Sequence, residues 1–204
     1  MEEATAAIAS GGEKPRGRLR ISAPLLFSQI AMGKLAAEFA VKYPEVRLEV
    51  TTEDRPVDMV EEAYDLVIRV NPETDESLVG RIFLRDRMVV AASPGLARPD
   101  NGGAVPVVVR GTASQAEAWN ITTLTGPVKI AVNPVLSLSS LIMVRDAVRT
   151  GVGAARLPIS LVSHDLADGT LVHWGDVEGP EIALWALYPT RRLLSARVSA
   201  FLAH

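Results

Sequence analysis

With 204 residues, 48% of them apolar and only 5% aromatic, the chain can bury a substantial core as one domain or two small lobes, in the manner of an α/β protein. No apolar run approaches the roughly 20 residues that a membrane-spanning helix needs. The net charge of −3 leaves no basic excess to neutralise phosphates, and there is no helix-turn-helix pattern, so this stretch is not expected to grip DNA by itself. Cysteine is absent, which excludes disulfides and thiolate chemistry. The acidic start, Met1-Glu-Glu-Ala-Thr, lacks the basic-then-apolar pattern of a secretory signal and points to the cytoplasm.

Along the chain, an Ala-rich opening ends at the breaker Ser10-Gly11-Gly12-Glu-Lys-Pro15. The segment Gly17-Arg-Leu-Arg-Ile-Ser-Ala-Pro24 reads as a strand running into a helix start. That helix carries Phe27, Ala31, Leu35 and Phe39 on one face and stops at Tyr43-Pro44. Val46, Leu48 and Val50 alternate with polar residues as a second strand, Pro56 suits the first turn of a short helix, and Leu66-Val-Ile68 and Met88–Ala92 read as buried strands. Strands alternating with helices argue for βαβ units on a mainly parallel sheet. Dense punctuation follows at Ser93-Pro-Gly95 and Pro99-Asp-Asn-Gly-Gly103. A second set then runs through Val107–Val109, Val128–Val132, a helix over about Leu138–Thr150 closed by Gly151, and a strand over Val152–Leu157. Ile182–Tyr188 makes a late strand and Leu193–Ala203 a closing helix. Crossings near Ser93 and Ala155 would leave two lobes joined by two strands, the hinged arrangement of periplasmic binding proteins.

Three phrases stand in a telling order: Gly17-Arg-Leu-Arg-Ile-Ser22, then Phe39-Ala-Val-Lys-Tyr43-Pro44-Glu-Val46, then Asp65-Leu-Val-Ile-Arg69. This series closely resembles the effector-binding domain of LysR-type transcriptional regulators, and so does Gly151-Val-Gly153-Ala-Ala-Arg-Leu157-Pro158. The resemblance covers Gly17 to about Ala203. It implies two Rossmann-like lobes joined by two crossover strands, of the type II periplasmic-binding-protein kind. Residues 1–16 would be the end of a linker helix and hinge, 17–93 the first part of lobe I, 94–155 lobe II, and 156–204 the return to lobe I. The intact protein is expected to be a cytoplasmic homodimer, or a tetramer, that reaches DNA only through an N-terminal domain absent here. The Leu26–Lys42 helix of one copy would lie near the Leu138–Thr150 helix of its mate.

The candidate site follows from the same reading. Ser22-Ala23-Pro24 lies between strand and helix, where a hydroxyl and free N–H groups suit a carboxylate; an ordinary serine cap is the alternative. Ser137 and Ser139, ahead of the second-lobe helix, form the matching candidate, again with capping as the alternative. The resemblance adds Thr51, Asn71, Ser93 and Thr112 as strand-to-loop positions lining a cleft between the lobes. Arg69 could meet a ligand carboxylate through its planar fork or form an ion pair inside its lobe. The related subgroup usually carries Gly where Asn71 stands, and Gly102–Pro106 lacks the Leu and His often found ahead of the second lobe, so the effector's identity is left open. Together these predict a small, anionic organic effector.

Catalysis is not expected. There is no G-x-S-x-G elbow and no Ser/His/Asp grouping, His164, His173 and His204 lie apart without ligand-spaced carboxylates, and Gly151-Val-Gly153 follows a helix, the reverse of a dinucleotide fingerprint. No cofactor or metal is implied. A solute-binding protein of an uptake system, which would share the two-lobe shape, is the alternative reading; a two-lobe enzyme would need a cleft lysine, and Lys34, Lys42 and Lys129 suit the surface better.

Overall fold

The first strands set the frame, and their order could not be read from local sequence. A computed structural model of the protein describes residues 14–73, 75, 77–98, 103–111, 118–189 and 194–204. In chain order the elements are β1 (Gly17–Ala23), α1 (Leu25–Phe27), a π-helical turn (Ser28–Met32), α2 (Gly33–Lys42), β2 (Val46–Thr52), β3 (Leu66–Val70), β4 (Leu78–Asp86) and β5 (Met88–Ala92). There follow β6 (Val105–Arg110), β7 (Trp119–Thr123), β8 (Gly126–Ile130), β9 (Val132–Leu138), α3 (Leu141–Arg149), β10 (Ala155–Pro158), α4 (Ile159–Asp168), β11 (Val172–Val177), β12 (Ile182–Pro189) and α5 (Ala196–Leu202). The expected opening helix up to Ser10 and the Pro99–Gly102 punctuation lie outside the described residues, as does Leu193, where the closing helix was expected to begin.

The chain forms two compact units, one of Met1–Phe83 with Leu184–His204 and one of Leu84–Ala183. The divisions differ from the expected crossings near Ser93 and Ala155, and so from the 17–93, 94–155 and 156–204 boundaries. The reason is pairing: Ala155 stands opposite Ala91, so β5 and β10 belong to one sheet of the second unit. The chain passes between units inside β4 and β12 instead. β4 was not visible in the sequence because its residues are mostly exposed and do not alternate. At Gly80 a Cβ would stand 2.9 Å from the Trp185 ring, so the bare backbone lets β4 lie against β12.

In the first unit the sheet runs β2-β1-β3-β12-β4, with β1 parallel to both β2 and β3 and β12 antiparallel to β3. Leu19 and Ile21 are buried at alternate positions of β1, and Leu66, Val67 and Ile68 are buried in succession, so β3 is covered on both faces. Above β1 the helix changes phase. The π turn at Ser28–Met32 adds a residue to the repeat, so the buried anchors are Phe27, Met32 and Phe39, while Ala31 and Leu35 are only partly covered. Phe39 meets Phe201 of α5 edge-on at 5.3 Å, a contact that contributes about 0.5–1.5 kcal/mol beyond area burial. The short helix expected at Pro56 is absent. Asp58 Oδ1 accepts from the amides of Val60 and Glu61, and Ala63 takes a left-handed φ of 56°, so residues 59–63 stay a turn.

The second unit departs from a mainly parallel plan. Its sheet, β10-β5-β11-β7-β8, is antiparallel throughout, while β6 and β9 pair in parallel. Two residues, Leu124 and Thr125, join β7 to β8, and so short a link permits only an antiparallel hairpin. Val90, Val107, Ile121 and Ala154 lie in its core. The helix expected over Leu138–Thr150 is shorter: Leu138 ends β9, Ser140 precedes the first turn and α3 starts at Leu141. Arg149 of α3 donates to the buried Asp165 of α4 at 2.7 Å, tying the two helices together.

Candidate functional site

At the carboxyl ends of β1, β2 and β3, the first unit gathers most of its expected site residues. Ligands in open α/β sheets bind at this edge because the strands there give way to helix starts and loops. Ser22 stands opposite Thr51 in the β1–β2 register, and Arg69 follows Ile68 on β3. Ser22 and Ala23 are fully buried and Pro24 is buried, whereas Thr51 and Asn71 are exposed.

The serine does not cap the helix. Pro24 holds the cap position, with φ −68° and ψ 152°, and there is no side-chain cap bond. The Ser22 hydroxyl instead accepts from Arg69 Nη2 at 2.9 Å. Arg69 is held twice more, by donation from Nη1 to the Ile68 carbonyl at 2.6 Å and from Nη2 to the Arg55 carbonyl at 3.3 Å. All three acceptors are neutral, and among the described residues Arg69 forms no ion pair. Burial, the largest influence, lowers its pKa from the ordinary arginine value, while the fields of Glu53 and Asp54 act in the opposite sense. A half-buried cation fixed by neutral oxygens is suited to receiving a planar anion.

Two features of this site escaped the sequence reading. Asp54 Oδ1 accepts from the Leu25 amide at 2.8 Å, so the loop after β2 supplies the helix's first partner. In sequence Asp54 is one charge in an ordinary polar loop, and nothing marks its reach across 29 residues. The π turn is the second, with Ser28 Oγ buried and lacking a partner among the described residues. Asn71 has a φ of 39°, in the left-handed region that asparagine and glycine tolerate best, which accounts for the residue type. Asp65 plays a structural part, accepting from the Arg20 amide at 2.9 Å and from Arg197 Nη2 at 3.3 Å.

The second unit places its candidates separately. Ser137, next to last in β9, donates its hydroxyl to the Gly111 carbonyl, while the Gly111 amide donates to the Leu138 carbonyl at 2.9 Å. The hydroxyl thus ties the ends of β6 and β9. Ser139 is exposed ahead of α3, whose cap residue Ser140 makes no side-chain cap bond. Ser93 lies beside Gly151, where an added Cβ would stand 3.3 Å from its hydroxyl. Thr112 lies outside the described residues. Among the described residues no group of three His, Asp or Glu side chains could hold a metal ion, and no helix is long and apolar enough to cross a membrane.

The fold and this strand-end arrangement define the class: a mixed α/β regulatory domain of the type II periplasmic-binding-protein kind. Residues 12–204 match the LysR substrate binding domain, and the chain belongs to that family. It is 28% identical over 204 aligned residues to the HTH-type transcriptional regulator PtxR of Pseudomonas aeruginosa, covering 93% of this chain and 63% of that protein. To the HTH-type transcriptional regulator DmlR of Escherichia coli it is 28% identical over 192 residues, covering 90% and 62%. The chain therefore spans less than two thirds of either relative. Among solved structures, the regulatory domain of AphB in Vibrio vulnificus superposes with a TM-score of 0.71 at 25% identity, covering 92% of this chain and 96% of that one. The CrgA regulatory domain, from a LysR-type transcriptional regulator of Neisseria meningitidis, gives 0.74 at 22% identity, covering 93% and 97%.

Proposed function

We propose that this chain is the ligand-sensing domain of a LysR-type DNA-binding transcriptional regulator, and that Arg69 receives the carboxylate of a small anionic effector. The observation that carries the reading is the Arg69 guanidinium, half-buried at a strand-end edge and held by three neutral oxygens. Ser22 orients that guanidinium; Thr51 and Asn71 line the loops around it. Ser93, Ser137 and Ser139, with Thr112, are the second unit's own candidates for effector contact. Binding, with no chemical step, is the function: the effector shifts the domain between arrangements only through its different affinity for them. DNA contact is assigned to sequence outside these residues, in a cytoplasmic homodimer whose geometry sets half-site spacing. The HTH-type names of the relatives favour this over a solute-binding protein for uptake.

The test is a thermal-shift screen with small carboxylates, aromatic acids and amino acids. A ligand specific for the folded state, at 100 times its dissociation constant, stabilises by about 2.7 kcal/mol. A carboxylate hit that disappears in Arg69→Met supports the assignment. A hit unchanged in that variant, or no response to any anion, refutes it.

A further inference from the structure

The loop after β2 brings a second, opposite charge to the same place. Asp54 and Arg55 are adjacent, and each reaches the β1–α1 segment or the arginine anchored to it: Asp54 takes the Leu25 amide, and the Arg55 carbonyl takes Arg69, which also holds Ser22. The other charges on this loop are satisfied locally. Arg55 donates to Glu53 at 3.0 Å and to Glu62 at 2.9 Å. Asp54 is different: it is exposed, its Oδ1 is used by one neutral amide, and among the described residues it has no cationic partner. Asp54 therefore sits one residue from the carbonyl that receives Arg69, and among the described residues the two form no ion pair.

We propose that this site takes a zwitterion, with Arg69 receiving a carboxylate and Asp54 receiving an ammonium group, so that the effector is an amino acid or a close relative carrying both groups. The proposal rests on the effector reading above and narrows it. The physical reason is Coulombic. A plain carboxylate approaching Arg69 must also approach the Asp54 carboxylate, and like charges at short range repel. A ligand with a neighbouring ammonium group turns that repulsion into a charge-assisted hydrogen bond. The free Asp54 oxygen and the remaining Arg69 N–H donors then both gain partners.

Calorimetric titration of the 204-residue chain with matched probes decides the matter. The probes are alanine, leucine, phenylalanine and glutamate, each beside its counterpart lacking the amino group: propionate, isocaproate, hydrocinnamate and glutarate. At least one amino acid should bind about tenfold or more tighter than its counterpart, the scale of one charged hydrogen bond. Asp54→Asn keeps an acceptor for the Leu25 amide and removes the charge, so it should erase most of that preference, weakening the amino acid and, with the repulsion lifted, strengthening the counterpart. Equal binding of amino acid and counterpart overturns the zwitterion and leaves the carboxylate reading standing. A preference that survives in Asp54→Asn overturns the assignment to Asp54. Binding of neither set overturns both readings together.

Discussion

Ser22→Ala is the substitution that most directly tests how the site is built. Ser22 is 0% exposed, so no water can replace its hydroxyl. Removing that oxygen deprives Arg69 Nη2 of its 2.9 Å bond and leaves it the longer 3.3 Å bond to the Arg55 carbonyl. The guanidinium is half-buried and so partly stripped of water, which lowers its pKa from the ordinary arginine value. A hydrogen bond to a charged group contributes about 1.5–3 kcal/mol, and for a domain of this size each kcal/mol moves the melting temperature by about 2–4 °C. The variant should therefore melt about 3–12 °C below wild type when followed by circular dichroism. Thr51→Ala, opposite in register but exposed, should stay within about 0.5 kcal/mol of wild type. A Ser22→Ala protein that melts with the wild type, or a Thr51→Ala protein that falls as far, would refute the claim that Ser22 holds Arg69.

In the second unit, Arg149→Ala strands the Asp165 carboxylate, which is 4% exposed. Breaking a buried ion pair costs about 3–5 kcal/mol, and the partial exposure of Arg149 puts the expected loss near the lower end; urea unfolding measures it, and a loss under about 0.5 kcal/mol would contradict the assignment. Acid should also weaken the first unit. Hydrogen bonds from Arg18 and Arg55 hold Glu49 and Glu62 below the ordinary glutamate value of 4.5, so the unfolded chain binds protons first as pH falls. Their contribution is complete above 4.5 and disappears as pH drops through the lower folded values; a Glu49→Gln, Glu62→Gln double variant should show a shallower acid slope in melting temperature, and an unchanged slope would count against both pairs.

What the sequence determined by itself is local and periodic. Val46–Val50 gives a strand because apolar and polar side chains there alternate every two residues, and the short apolar run Met88–Ala92 gives one buried on both faces. Tyr43-Pro44 ends α2, since proline excludes the preceding residue from helical backbone. The three phrases through Arg69 placed the chain in its family, and Ser22 and Arg69 were both marked as site residues. Tertiary structure decided everything that depends on pairing across distance. It put β1 between β2 and β3, closed the second unit's sheet as antiparallel, and moved the divisions into β4 and β12. It also gave Ser22 a guanidinium 47 residues away and the Leu25 amide a carboxylate 29 residues away. Hydrogen bonds of this kind carry no period and no composition, because their partners are chosen by the packed sheet and not by neighbours in sequence.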